Sequence, residues 1–420
     1  MDRPNPTERL TAASAFDQPP ADFSQHAHSC TDELCRGCGL GLPQEQRGSA
    51  IQPAVAGDPV NLGRSWPTSR ESDSSSEATD RITTPLLRQV PQNRWETVSW
   101  VRAIHEFVSR MKSLQARYGP DSIAVLNPGR IFTEELALLG SLFKFGMGGR
   151  HGDIVAGPCP ETGSHSVSRS CTANRSHPFA NTTSLLGGRD FARPEHREAV
   201  ARILGIPVQR IPQENSWAQD RILEGIGNGT IRGLWIVATN TFSSWIRHWA
   251  LNLGAEKLDF LVVQDRYAAP DLTRRAHLVL PSAGWGEKEG TLISSPHHIA
   301  VVKKVRRAPG DSLSDFDIFK LIASGWGCSD LFRKWQSPES VFQILKRLSA
   351  GQTCDLTGIR DYRHLDEAGG IQWPYSSADA EAEDQRADRT LTPSSTTRRP
   401  AETGEPKNFW FSPVNSPSGF

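Results

Sequence analysis

Between residues 230 and 305 the sequence alternates short apolar runs with polar loops, and this alternation constrains the fold more than any other feature. GLWIVATNT predicts a strand, with Thr239 and Asn240 at its carboxyl end. SSWIRHWALNLGAEKL predicts a helix, and DFLVVQD predicts the next strand. Strand, helix and strand in this order form a βαβ unit, which implies a parallel sheet and an α/β fold. AHLVLP predicts a third strand, and IAVVKKV is a candidate for a fourth.

Polar residues and glycines follow these predicted strands. Gln264 and Asp265 end the second strand. The loop after the third strand contains five further candidates for ligand contact, which are Gly284, Gly286, Glu287, Gly290 and Thr291. Because ligands bind outside the carboxyl ends of parallel strands, we expect Asn240, Asp265 and Gly286 on one rim of the sheet. The pattern favours a nucleotide-like ligand there, and the alternative is a βα turn and a hairpin loop that hold no ligand.

Length and charge limit the function classes. A chain of 420 residues implies at least two domains, because single cores rarely grow past ~250–300 residues. Basic and acidic residues number 47 each, so there is no electrostatic argument for binding nucleic acid or an anionic membrane. No apolar run approaches the ~20 residues of a membrane span, and the N-terminus lacks the features of a secretion signal. We therefore expect a cytoplasmic protein.

Apolar periodicity predicts further helices outside this region. A helix opens at Ser99 and ends at YGPDS, IAVL follows as a buried strand, and a second helix runs from about Thr133 to Phe145. PEHREAVARILG, with Gly205 as its stop, and SWAQDRILEGIGNG predict two more. Residues 1–85 and 376–420 lack a periodic apolar pattern, so we expect both to be irregular segments without a stable fold.

The strand and loop segments resemble a known family. LWIVATNT, FLVVQDRY and AHLVLPSAGWGEKEGT are similar to consecutive cofactor-binding segments of the bis-molybdopterin guanine dinucleotide oxidoreductases, nearest to assimilatory and periplasmic-type nitrate reductases. FTEELALLGSLFKFGMGGRHGD and FANTTSLLGGRDFARPEHREAVARILG are similar to further segments of the same enzymes. The resemblance extends over roughly residues 55–375 with one large gap.

The resemblance implies a βαβ core of molybdopterin-oxidoreductase type and reduction of nitrate to nitrite in nitrate assimilation. It implies a molybdenum bis-molybdopterin guanine dinucleotide cofactor and a 4Fe-4S cluster, with Cys159 as the catalytic metal ligand. The dinucleotide would contact Thr239, Asn240, Gln264, Asp265 and the five loop candidates. Electrons would come from a donor protein or reductase domain that the sequence does not identify.

The cluster motif departs from the family. The family pattern is C-x2-C-x3-C with a fourth cysteine downstream. Aligning Cys38 with the third ligand leaves Cys30 and Cys35 each one residue out of register, and Trp66 stands at the fourth position. Because an indole cannot ligate iron and a cubane cluster normally needs four thiolates, we expect the cluster to be lost.

The same three cysteines support two other interpretations. Cys30, Cys35 and Cys38, with His26 or His28, offer the sulfur and nitrogen ligands that zinc accepts. The alternative is a polar tail that carries three free thiols.

Other departures concern the binding residues and the length. Leu272 stands where the family has threonine, His277 where it has aspartate, and Ser294 where it has asparagine. Between Cys159 and Cys171 a large middle portion of the family is missing.

These departures suggest a division of the chain. The predicted segments are an N-terminal segment at 1–85, a partial molybdopterin domain at 86–158, a junction at 159–180, a dinucleotide-binding α/β domain at 181–375 and a tail at 376–420. Three functions stay open: a nitrate reductase-type enzyme with impaired activity, a non-catalytic α/β remnant that binds a nucleotide or a partner, and an N-terminal zinc module.

Overall fold

A computed structural model gives the structure of the chain. It describes residues 81–89, 94–127, 131–154, 177–238, 254–267, 275–294 and 298–383, together with the backbone of three short strands at 27–29, 39–41 and 52–53. The chain separates into a unit Met1–Ala380 and a unit Glu381–Phe420. The elements below all belong to the first unit.

Strands and helices alternate along the described residues. The strands are β1 (Ala27–Ser29), β2 (Gly39–Gly41), β3 (Gln52–Pro53), β4 (Leu86–Gln89), β5 (Arg94–Thr97), β6 (Ile123–Asn127), β7 (His151–Ile154), β8 (Gly233–Val237), β9 (Phe260–Asp265), β10 (Leu278–Pro281), β11 (Gly290–Ser294), β12 (His298–Val302) and β13 (Ile371–Gln372). The α-helices are α1 (Trp100–Tyr118), α2 (Thr133–Ser141), α3 (Pro194–Leu204), α4 (Gln219–Gly227), α5 (Asp315–Trp326), α6 (Pro338–Ser349) and α7 (Tyr362–Glu367). No helix of the described part is both long and apolar enough to cross a membrane.

A seven-stranded sheet organises the molecule. Its order is β5-β4-β10-β9-β8-β6-β7, and the five strands from β10 to β7 are parallel. β4 and β5 extend it as an antiparallel edge. The predicted α/β fold with a parallel sheet is confirmed, and β8, β9 and β10 are the three apolar runs that predicted it.

Both faces of this sheet are covered, which explains why its strands are continuously apolar. Along β9, Phe260 and Val262 belong to one buried cluster, whereas Leu261 and Val263 belong to another on the opposite face. Helices α1 and α5 supply buried residues to the first cluster.

The helix boundaries follow from local chemistry. The hydroxyl of Ser99 accepts a hydrogen bond from the backbone N–H of Arg102 and caps α1, which ends at Gly119 with a φ of 88°. Helix α2 begins at Thr133, as predicted. Its α-helical part ends at Ser141, and Leu142–Gly146 follow as a π-helical turn. Helix α3 ends at Gly205 in the left-handed conformation, which confirms the predicted stop.

The prediction of a fourth parallel strand from IAVVKKV was wrong. The strand is β12, and it pairs antiparallel with β11 in a separate sheet of order β11-β12-β13. Only residues 295–297 separate the two strands. Antiparallel strands can be joined by such a short turn, but a parallel strand needs a crossover of a dozen or more residues.

Two other predictions meet the structure only in part. Most of the helix predicted from SSWIRHWALNLGAEKL lies outside the described residues, and its last part contains a 3-10 turn, Ala255–Lys257. Within the predicted irregular segment 1–85, strands β1, β2 and β3 form a small antiparallel sheet. Ile82 of the same segment is buried and accepts a hydrogen bond from the hydroxyl of Ser312 through its backbone oxygen. At the other end, residues 377–380 are helical, inside the segment 376–420 for which no fold was predicted.

Candidate functional site

The carboxyl ends of β8, β9 and β10 lie at one level. In the strand register Val237 and Leu280 both pair with Gln264, and Pro281 pairs with Asp265. The structure therefore brings Gln264, Asp265 and the start of the loop after β10 to one edge of the sheet. We call this region the carboxyl edge. Thr239 and Asn240 follow β8 by two and three residues and lie outside the described residues.

Gln264 is completely buried on the face of the sheet that holds Phe260 and Val262. Its side-chain Nε2 donates a hydrogen bond to Oδ1 of Asp315, the first residue of α5, at 2.5 Å. Its Oε1 has no hydrogen-bond partner among the described residues. Gln264 therefore offers one uncommitted acceptor at the carboxyl edge.

Asp265 is the next residue, so its side chain leaves the strand on the opposite face. Its Oδ1 accepts a hydrogen bond from the backbone N–H of Arg266 at 2.6 Å. Burial raises the pKa of Asp265, and the charge of Arg266 opposes that rise. The backbone of Tyr267 also bonds this carboxylate. Since a carboxylate accepts more than two hydrogen bonds, Asp265 keeps acceptor capacity beyond these two local bonds.

The side chain of Glu287 bonds to the backbone of its own loop. Its carboxylate is buried, accepts a hydrogen bond from the backbone N–H of Gly284 at 2.6 Å and pairs with Arg81. The Nε of Arg306 lies 3.6 Å from its other oxygen. This predicted cofactor contact is thus engaged in holding the loop to the N-terminal end of the described fold.

Gly284 and Gly286 lie in the loop, whereas Gly290 and Thr291, which were predicted in the loop, begin strand β11. The three glycines are also required by the packing of the protein itself. A Cβ on Gly290 would lie 2.6 Å from the Phe132 ring, and one on Gly284 would lie 3.2 Å from the Arg266 side chain. Gly286 has a φ of 74°, a conformation that side chains disfavour. The loop would therefore need these glycines even without a ligand.

Lys288 lies at the centre of a buried ionic network. Its Nζ is 2.7 Å from Oε2 of Glu135 and bonds Oδ2 of Asp315. Burial lowers the pKa of Lys288, but the two carboxylates outweigh it and the net shift is upward. Burial raises the pKa of Glu135 to about 7; the charge of Lys288 opposes this rise and that of Asp315 adds to it. The network joins the loop to the first turns of α2 and α5.

Thr291 is held by the neighbouring glutamate. Its backbone N–H and its hydroxyl donate to the carboxylate of Glu134 at 2.8 and 2.6 Å. Both residues are fully buried, and burial raises the pKa of Glu134 to about 7 although these bonds oppose it. Thr291 therefore ties β11 to α2.

Sequence reasoning missed the residues that anchor this loop. They are Glu134, Glu135, Lys288 and Asp315. The available signals were the adjacent glutamates at the start of a predicted helix and a lysine flanked by two glutamates in a glycine-rich loop.

The predicted metal ligands Cys30, Cys35, Cys38 and Cys159 lie outside the residues whose side chains the structure describes. Within the described ranges, no group of three or more His, Cys, Asp and Glu side chains could hold a metal ion. Burial raises the pKa of the free thiols Cys328 and Cys354 to about 11. These two cysteines are therefore inert packing residues.

The described residues at the carboxyl edge fit the nucleotide part of the implied cofactor. The orphaned oxygen of Gln264 and the carboxylate of Asp265 are acceptors, and guanine presents N–H donors. Glu287 and Thr291, in contrast, are already committed to protein groups.

Comparison with known proteins identifies similar sequences. The family model for molybdopterin oxidoreductase matches residues 81–186 and 209–324. The chain is 30% identical over 199 residues to a nitrate reductase of Synechocystis sp., an alignment that covers 47% of this chain and 28% of the relative. It is 29% identical over 223 residues to an assimilatory nitrate reductase of Haloferax mediterranei, covering 53% of this chain and 30% of the relative. The chain thus spans less than a third of the length of these relatives.

The fold itself resembles a solved structure. The acetylene hydratase of Pelobacter acetylenicus superposes with a TM-score of 0.54 at 12% sequence identity, over 78% of this chain and 72% of that chain. The two segments that match the family model together make up more than half of the chain. The chain therefore belongs to the molybdopterin oxidoreductase family.

Proposed function

We propose that this chain takes part in the reduction of nitrate to nitrite, as the portion of a molybdopterin oxidoreductase that holds a guanine dinucleotide at the carboxyl edge. The similarity to nitrate reductases over up to half of the chain supports nitrate as the substrate. The bound cofactor supplies the redox chemistry at its metal. The residues of this chain bind and orient the dinucleotide and keep water away from it.

The observation that carries the proposal is the common level of three parallel strand ends. This geometry places the buried Oε1 of Gln264 and the carboxylate of Asp265 on either face of β9, one residue apart. Each of these acceptors can receive one N–H or O–H donor of a nucleotide that lies beyond the strand end. Asn240, which follows β8, is proposed as a further contact from the neighbouring strand, together with Thr239.

The proposal extends to the metal. Cys159 is proposed as the metal ligand because a thiolate is a suitable soft donor. The shifted Cys30 and Cys35 and the indole of Trp66 support a chain that assembles no four-iron cluster. Iron and molybdenum analysis after anaerobic purification tests this part, and near-stoichiometric iron would contradict it.

Nucleotide binding tests the central claim. The probe is GDP, titrated calorimetrically into the whole chain and into Asp265→Asn. Asparagine retains an oxygen for the N–H of Arg266, so the fold is expected to persist while affinity for GDP falls about tenfold, the equivalent of one charge-assisted hydrogen bond. Asp259→Asn is the matched control, because Asp259 is exposed and pairs with Arg232 at the other end of β9.

The outcomes separate the candidate functions. Equal GDP affinity in wild type and Asp265→Asn, or no binding by the wild type, would refute the proposed site. GDP binding without nitrite formation from a reduced dye would favour the alternative of a non-catalytic α/β domain that binds a nucleotide. Stoichiometric zinc that is lost from Cys38→Ser would favour the N-terminal zinc module.

A further inference from the structure

The carboxamide of Gln264 is held from one side only. Nε2 donates to Oδ1 of Asp315, and the other oxygen of Asp315 accepts from the ammonium of Lys288. Lys288 in turn bonds Glu135, whose Oε2 also accepts from the backbone N–H of Phe132 at 3.1 Å. A chain of charged and polar groups therefore begins at the strand end and continues into α2.

The identity of these partners dictates which way the carboxamide points. An ionised carboxylate is only an acceptor, so Gln264 must turn its NH2 group toward Asp315 and its oxygen away. The ammonium of Lys288 donates to the other carboxylate oxygen of Asp315, so both oxygens of Asp315 face donors. An asparagine or a protonated acid at position 315 would offer a donor, and the carboxamide could then rotate by half a turn.

The resulting oxygen is an unsatisfied buried acceptor. Gln264 has no exposed surface, and Oε1 has no partner among the described residues. A buried carbonyl without a donor destabilises the free protein. A ligand N–H or O–H at the carboxyl edge would satisfy it.

We propose that Asp315 and Lys288 are positioning residues that fix the Gln264 carboxamide with its oxygen directed at the ligand, so that this oxygen accepts a hydrogen bond from an N–H or O–H donor. The ligand class is a nucleotide with donor groups on its base or sugar, and this part rests on the proposed function. The orientation of the carboxamide does not depend on that function and can be tested in the free protein.

The first experiment tests whether the side-chain amide of Gln264 is protected and whether it responds to its partner Asp315. The whole chain is labelled with 15N-glutamine, and the side-chain signal of Gln264 is assigned by its loss in Gln264→Met. We expect its amide protons to exchange with solvent at least about tenfold more slowly than those of the exposed Gln336. The signal should shift in Asp315→Asn and stay in place in Lys303→Met, a lysine of a half-exposed pair. Exchange as fast as at Gln336 would overturn the proposal.

The second experiment measures GDP affinity at pH 7. We expect the Kd to rise about tenfold in Asp315→Asn and in Gln264→Met, and to stay within about twofold in Lys303→Met. Gln264→Met fills the same volume without the acceptor and leaves Asp315 in place, so it decides the matter if Asp315→Asn fails to fold. Unchanged affinity in a folded Gln264→Met would overturn the proposal.

The two experiments fail in different ways. If the wild type binds no GDP, the proposed function fails, and the amide exchange alone decides whether Asp315 orients Gln264. If GDP binds and the amide is protected, but Asp315→Asn neither shifts the signal nor weakens binding, the positioning role is refuted while the proposed function stands.

Discussion

The strand ends and the glycine loop meet at the same edge of the sheet, yet they use their polar groups in opposite ways. At the end of β9, the Oε1 of Gln264 has no partner among the described residues, and the carboxylate of Asp265 accepts only local backbone N–H bonds in the described part. In the loop after β10, Glu287 and Lys288 are buried and bonded to other parts of the protein. The sequence pattern alone does not distinguish these two situations.

This difference suggests two roles: the loop residues fix the shape of the site, and the strand-end residues contact the ligand. The loop must be fixed before it can shape an edge, and its fixed points come from α2, α5 and the residues before β4. The strand ends are already fixed by the sheet, so their side chains are available for recognition. Substitutions in the loop should therefore cost stability, whereas substitutions at the strand ends should cost binding.

The largest effect is expected for Lys288→Met. Removing the ammonium leaves Glu135 and Asp315 buried without their cation. Loss of one partner of a buried ionic pair typically costs about 3–5 kcal/mol of unfolding free energy. Urea denaturation at pH 7 measures the loss, and Lys303→Met is the control because its partner Asp366 is partly exposed.

The network also predicts a partial rescue. Burial raises the pKa of Glu135 to about 7, and without the Lys288 ammonium it rises further, so in Lys288→Met this carboxyl must take up a proton at pH 7. The double variant Lys288→Met with Glu135→Gln places a neutral amide there and avoids that cost. It should be more stable than Lys288→Met alone. A loss below about 1 kcal/mol in Lys288→Met would show that the loop is held by other contacts.

Gly290→Ala should cost less. The new methyl group would lie 2.6 Å from the Phe132 ring, so either the ring or β11 must move. Overpacking of this kind costs about 1–3 kcal/mol. Gly227→Ala is the matched control, because a Cβ there has no neighbour within 4 Å. Equal denaturation midpoints for the two variants would contradict the packing role of Gly290.

The parallel strands could be predicted because burial on both faces leaves a direct trace in the sequence. LWIV and LVV are apolar without interruption, as strands covered on both faces must be. The partner of a strand leaves no such trace, so β12 was assigned to the wrong sheet. The three residues between β11 and β12 were the available signal.

The anchoring network could not be predicted, because its members are far apart in the chain. Glu135 and Lys288 are separated by 153 residues, and Glu134 and Thr291 by 157. A buried lysine needs a charged partner, but the sequence does not indicate which carboxylate supplies it. The glycines were predicted as candidates for ligand contact, and the groups that lie close to Gly290 and Gly284 include Phe132 and Arg266 of the protein itself.

His277 lies just before β10, at the amino end of the strands, and gives the sheet a contact that depends on pH. Its Nδ1 accepts the backbone N–H of Leu261 at 3.0 Å, and burial lowers its pKa to about 4, assisted by Arg110 and Arg88. A depressed folded pKa means that its contribution to stability is present above about pH 6.5 and is lost as the pH falls toward 4. After allowance for its partial exposure, the loss between pH 7 and pH 5 is about 1 kcal/mol.

His277→Asp should remove this pH dependence. An aspartate has no proton to gain between pH 7 and pH 5 in the field of Arg88 and Arg110, whose attraction the nearby Asp259 opposes in part. Chemical denaturation at pH 7 and pH 5 measures the change in unfolding free energy, and His105→Gln on the exposed side of α1 is the control. An equal pH dependence in His277→Asp and wild type would show that other groups, such as His151 and His177, carry it.

The smallest effect on stability is expected for Asp265→Asn, and this variant sharpens the comparison most. Burial raises the pKa of Asp265, so a neutral side chain at this position relieves part of the cost of burying its charge. The amide oxygen still accepts the N–H of Arg266. We therefore expect an unfolding free energy within about 0.5 kcal/mol of wild type, in the range of substitutions that disrupt no packing. The affinity for GDP should fall about tenfold in the same preparation. A destabilisation as large as that of Lys288→Met would mean that the strand end, like the loop, serves the fold rather than the ligand.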